Sequence, residues 1–143
     1  MKKLQWWLRG VGVFYLFLTV VNLYAIFINT QFLKLDIPFP VDDAGFRITL
    51  DFWLTFILDL LVIGAFLLWA SREPLKHINL VWLVLWLELI RGVADDFYLI
   101  ARGYDATFYT GFTIVHLIII VTGFIIARQA SPHETTQVQV ARA

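Results

Sequence analysis

Apolar residues fill four stretches of the chain, at about 8–28, 48–70, 78–101 and 108–127. Each meets the roughly 20 residues that a helix needs to cross a bilayer. The first stretch follows Met1-Lys2-Lys3 and Trp6-Trp7 without a small-x-small cleavage site, so it reads as a retained span and not a removed signal. Ser71-Arg72-Glu73-Pro74 ends the second helix, and Lys76-His77 keeps the short link to the third polar, which predicts a tight antiparallel hairpin. Between the first two spans, Pro38 and Pro40 interrupt an apolar run of Phe32, Leu33, Leu35, Ile37 and Phe39. That segment is expected in the membrane interface, with Asp42 or Asp43 capping the second helix. Beyond Arg128 the residues turn to Gln, Ser, Pro, His, Glu and Thr, and 129–143 is expected to be a disordered polar tail. The pattern predicts an all-α, polytopic membrane protein, an antiparallel bundle of four transmembrane helices over residues 1–128.

Composition agrees and removes several classes of function. Of the 143 residues, 60% are hydrophobic and 15% charged, with a mean hydropathy of +0.77; soluble domains carry about 25% charge. No length remains for a second domain. Basic residues near the spans favour one side, with Lys2, Lys3, Arg9, Arg72, Lys76, Arg128 and Arg142 against Lys34, Arg47 and Arg102. By the positive-inside rule both termini are expected in the cytoplasm. Trp6, Trp7, Trp53, Trp69 and Trp82 fall near span ends and are expected to form an interfacial belt. Formal net charge is +0 without a basic stripe, which argues against nucleic acid as a partner. Cysteine is absent, so disulfides, thiolate catalysis and cysteine-ligated metals are excluded.

The polar positions inside the spans carry the functional question, because a charge near the bilayer centre costs a few kcal/mol or more and often marks a site. Gly12, Tyr15, Thr19, Asn22 and Asn29 recur at helical spacing in the first span. Asp51, Thr55 and Asp59 share a face of the second. Glu88, Arg91 and Asp95 do so in the third, beside Asp96, with Trp82 and Trp86 turned toward lipid. Thr113, His116 and Gly123 line the fourth. The economical assembly buries these stripes as one seam, with Asp59, Glu88, Arg91 and His116 at mid-membrane and Asp51, Asp95 and Asp96 toward the outer face. If Glu88 and Asp95 pair with Arg91, then Asp51, Asp59 and Asp96 are left to protons, waters, a cation or His116.

Three readings of the seam follow. It is a hydrogen-bonded lock between helices, a binding or permeation site for a small hydrophobic or cationic ligand or a proton, or a membrane enzyme using Glu88 and His116 in acid–base roles. The Glu-x-x-His pairs of a di-iron bundle are missing, and one His is a poor basis for a metal site, so no metal and no cofactor is named. No Walker A, paired-glycine dinucleotide loop, Gly-x-Ser-x-Gly or His-Glu-x-x-His occurs. Gly10-x-Gly12 and Gly92 with Asp96 make no strong dimerisation motif, and oligomeric state stays open.

The opening Met1 to Trp7, the charged run Trp86-Leu87-Glu88-Leu89-Ile90-Arg91-Gly92-Val93-Ala94-Asp95-Asp96, the Ile100 to Tyr104 turn and His116-Leu117-Ile118 resemble the BphX-like family. The resemblance covers roughly Met1 to Arg128. It implies a small multi-pass protein of the bacterial cytoplasmic membrane, accessory to the handling of hydrophobic compounds, and it brings no catalytic residues with it. A looser, purely architectural similarity is to DoxX-like four-helix membrane proteins.

Overall fold

Leu, Val, Ile and Phe dominate the chain so heavily that helices take nearly all of it. A computed structural model describes residues 2–33 and 39–130. Along it run α1 (Lys2–Phe27), a 3₁₀ turn at Thr30–Leu33, α2 (Ala44–Ala70), α3 (Ile78–Leu87), a π-helical segment (Glu88–Ala94), α4 (Asp95–Ala101) and α5 (Ala106–Ala130). No strand occurs among the described residues. Helices α1, α2 and α5 are each long and apolar enough to cross a membrane, which marks a membrane protein. Residues 78–101 are helical throughout, as expected, but in three pieces. Helix α1 starts six residues before the predicted span and α5 runs to Ala130, past the predicted end of the bundle. Of the expected interfacial loop, 34–38 lie outside the described residues, as does the tail from 131.

Of the described residues, 2–9 and 70–130 form one compact unit, and those within Gly10–Trp69 a second. In the first, α5 packs along α3, the π segment and α4. The turn between α4 and α5 sets that pairing. Gly103 adopts φ +89, a left-handed value that favours glycine, while its N–H bonds the Ile100 carbonyl at 3.0 Å and that of Tyr104 the Leu99 carbonyl at 3.1 Å. Asp105 then caps α5, its Oδ1 accepting the N–H groups of Thr107 and Phe108 at 2.8 and 3.1 Å. The helix stop and the helix start are thus four residues apart, and α5 returns directly along α4. Trp7 is buried and donates from Nε1 to Thr122 Oγ1 at 3.1 Å. It is therefore an internal joint and not the belt residue expected. Trp6, 66% exposed, fits the belt. Trp82 is half-buried, edge-on to Phe124, while Trp86 is exposed as predicted.

In the second unit, Gly12, Tyr15 and Thr19 of the α1 stripe are buried, together with Val11, whereas Asn22 and Asn29 are half-buried. A Cβ on Gly12 would stand 3.0 Å from the Gly64 carbonyl oxygen, so this close backbone approach depends on both glycines. Ala25, Leu33 and Phe46 close the far end. Asp43, of the two predicted caps, holds the start of α2 through Oδ1 and the Gly45 N–H at 2.6 Å.

Candidate functional site

Glu88 and Asp96 are charged side chains buried in the first unit, 4% and 6% exposed. Both come from the helix that crosses α5, and His116 of α5 lies between them. His116 Nδ1 is 2.6 Å from Glu88 Oε2, a hydrogen bond whose proton sits on one partner or the other, and its Nε2 is 3.8 Å from Asp96 Oδ2. The Thr113 hydroxyl, one turn before His116, lies 3.0 Å from Asp96 Oδ2 and equally 3.0 Å from the Tyr109 carbonyl oxygen. Its single hydrogen serves one acceptor at a time. One imidazole therefore stands between two carboxylates of a neighbouring helix.

The π segment makes this geometry. At 3.6 residues per turn, seven residues return to within about 20° of the starting direction, whereas eight overshoot by about 80°. A regular helix from Glu88 would present Asp95, which is why periodicity selects Glu88, Arg91 and Asp95 as one face. The i→i+5 turn over Glu88–Ala94 absorbs one extra residue. Glu88, Gly92 and Asp96, four apart, are then the buried positions, while Asp95 is exposed. Of the two expected seam acids, Asp96 is thus buried and Asp95 is not. Gly92 completes the site because the ring of His116 occupies the space where a side chain would be.

The remaining expected residues sit elsewhere. Arg91 is half-buried on the same wide turn. Asn22 belongs to the second unit, where its Oδ1 accepts from Trp53 Nε1 at 2.9 Å and its Nδ2 donates to the Leu18 carbonyl at 2.8 Å. Asp51 and Asp59 are exposed, contrary to the buried seam. They do share a face of α2, but the covered face is the one carrying Ile57, Leu60, Gly64 and Leu67. Spacing tells which residues point together and not which way. Thr113 lies beside His116 as its spacing predicts, and Gly92 is the member that reasoning on charge passes over; its signal is spacing, four residues after Glu88.

The two carboxylates approach opposite nitrogens of one ring and do not converge on a point, and among the described residues no group of three His, Asp or Glu is placed to hold a metal. Such an arrangement suits a proton: each imidazole nitrogen can donate or accept, with Glu88 hydrogen-bonded to one and Asp96 facing the other at 3.8 Å, beyond hydrogen-bond distance. A family model described as BphX-like matches residues 1–132. No curated protein and no solved structure matches the chain.

Proposed function

The chain belongs to the BphX-like family, and on that premise we propose a multi-pass accessory protein of the bacterial cytoplasmic membrane that holds and exchanges a small cation, the proton, at Glu88, His116 and Asp96. Residues 78–101, about 36 Å long at 1.5 Å per residue, supply the fourth crossing of the bundle. With an even number of crossings both termini lie on one side, and the excess of Lys and Arg beside them makes that side cytoplasmic.

The observation that carries the reading is the imidazole between two buried carboxylates, about ten residues from the start of α5 and so near mid-membrane. The two buried carboxyls, Glu88 and Asp96, flank the single imidazole of His116: two acids against one base, even with the imidazole charged. One further positive charge balances the set, and a buried charge is costly unless it is paired. The family resemblance sets this exchange among proteins that handle hydrophobic compounds. The 2.6 Å contact supports a second reading, an acid–base enzyme in which Glu88 orients His116 as the base.

Infrared titration of the protein in liposomes tests the proposal. A carboxyl absorption of the wild type should respond to pH if the cluster takes up and releases a proton. It should vanish in Glu88→Gln or Asp96→Asn and persist in Asp51→Asn. If no wild-type carboxyl titrates, the cluster is a structural lock and proton exchange is wrong. Turnover of a substrate that stops in His116→Gln while the titration persists selects the enzyme.

A further inference from the structure

At the end of the first unit where α1 begins and α5 stops, the surface opens into a cavity of about 400 Å³. Lys2 and Lys3 line it, Leu4, Leu75 and Ile126 give it an apolar wall, and Gln129 adds an amide. Both lysines are exposed, and among the described residues neither forms an ion pair, whereas Lys76 of the adjoining loop is held by Glu73 at 3.2 Å. Two exposed ammonium groups beside three aliphatic side chains call for a ligand with an anionic head and a hydrocarbon body.

Depth narrows the choice. Helices α1 and α5, 26 and 25 residues long, exceed the roughly 30 Å hydrocarbon layer, so their ends emerge at the level of lipid headgroups. Exposed Trp6, one turn inside, is the residue type that anchors there. A soluble anion would use the lysines and leave the apolar wall wet; a neutral lipid would use the wall and leave the lysines unpaired. We propose that this cavity binds an anionic phospholipid, its phosphate between Lys2 and Lys3 and its first methylenes along Leu4, Leu75 and Ile126. The site is separate from Glu88, His116 and Asp96, and it stands whether or not these exchange a proton.

Native mass spectrometry of the full chain released from uncharged detergent, offered phosphatidylglycerol and phosphatidylcholine in equal amounts, tests it. The wild type should retain phosphatidylglycerol preferentially. At about 1 kcal/mol for each basic residue near the membrane surface, Lys2→Gln with Lys3→Gln should weaken that retention roughly 30-fold. Both side chains are exposed, so the double variant should keep the wild-type circular dichroism and melting temperature. Lys76→Gln should keep the preference, and inorganic phosphate in the same amount should not displace the lipid. Equal retention of the two lipids overturns the proposal, as does a double variant that still selects phosphatidylglycerol. A loss as large in Lys76→Gln would mean diffuse surface charge, and displacement by phosphate would mean a soluble-anion site; either result also overturns it.

Discussion

The imidazole of His116 lies so close over Gly92 that a Cβ at position 92 would stand 2.5 Å from both its Cγ and its Nδ1. Surface side chains can swing away from such an intrusion. This ring cannot do so without cost, because Glu88 bonds Nδ1 and Asp96 faces Nε2, and rotating χ1 pulls both nitrogens off their carboxylates. Gly92→Ala is therefore expected to destabilise the protein by about 1–3 kcal/mol, the usual range for overpacking. It should also shift the His116 ring-nitrogen resonances in NMR. An alanine variant with wild-type melting and unchanged ring signals would mean that the glycine is not what seats the histidine.

Thr113 tests the other carboxylate. Its hydroxyl stands 3.0 Å from both Asp96 Oδ2 and the Tyr109 carbonyl oxygen, so Thr113→Val removes the donor that the two share and should cost about 1–3 kcal/mol in thermal unfolding. Thr113→Ser keeps the hydroxyl and should recover most of the loss. If serine is as damaging as valine, the methyl group and not the hydrogen bond holds the site together.

In the second unit, the bond from Trp53 Nε1 to Asn22 Oδ1 joins α1 to α2 at 2.9 Å. Hydrogen bonds between membrane helices average about 0.6 kcal/mol. Asn22→Leu should accordingly change the unfolding free energy by less than about 1 kcal/mol and leave the His116 ring-nitrogen resonances untouched. A loss of several kcal/mol would show that Asn22 has a larger part than joining two helices.

The helices were legible because an apolar run of span length admits little else, and so was the cap of α2, since Asp43 stands where an otherwise unpaired N–H needs an acceptor. The polar stripe of α1 was legible for the same reason that it packs: Gly12, Tyr15 and Thr19 recur at helical spacing. The facing of α2 was not. In a membrane the lipid-facing side is as apolar as the buried side, so hydrophobicity loses the contrast that orients a helix in water, and Asp51 and Asp59 were assigned inward on charge alone. Residues 88–96 failed differently, through a local change of helical period. Nothing in the Glu88 to Asp96 segment forbids regular winding, and the wide turn is selected by what α5 offers, a histidine that fits over Gly92 and a threonine that meets Asp96.

If the wide turn is one extra residue absorbed between two faces, then removing one residue from it should spare the faces. Ile90 is the choice, being 61% exposed and central in Glu88–Ala94. Without it, Asp96 becomes the seventh residue after Glu88 and falls within about 20° of its direction in a regular helix. The deletion should keep the contact between Asp96 and Thr113 and lower the unfolding free energy only modestly, by about 1–2 kcal/mol. Deleting exposed Leu83 instead, from the regular part of the helix, turns the Val81 side of α3 about 100° away from the face carrying Glu88 and Asp96. That variant should fail to reach a folded state by size-exclusion chromatography and circular dichroism. Equal damage from the two deletions would mean that the π segment is required in itself, so that the extra residue serves the site and not merely the register.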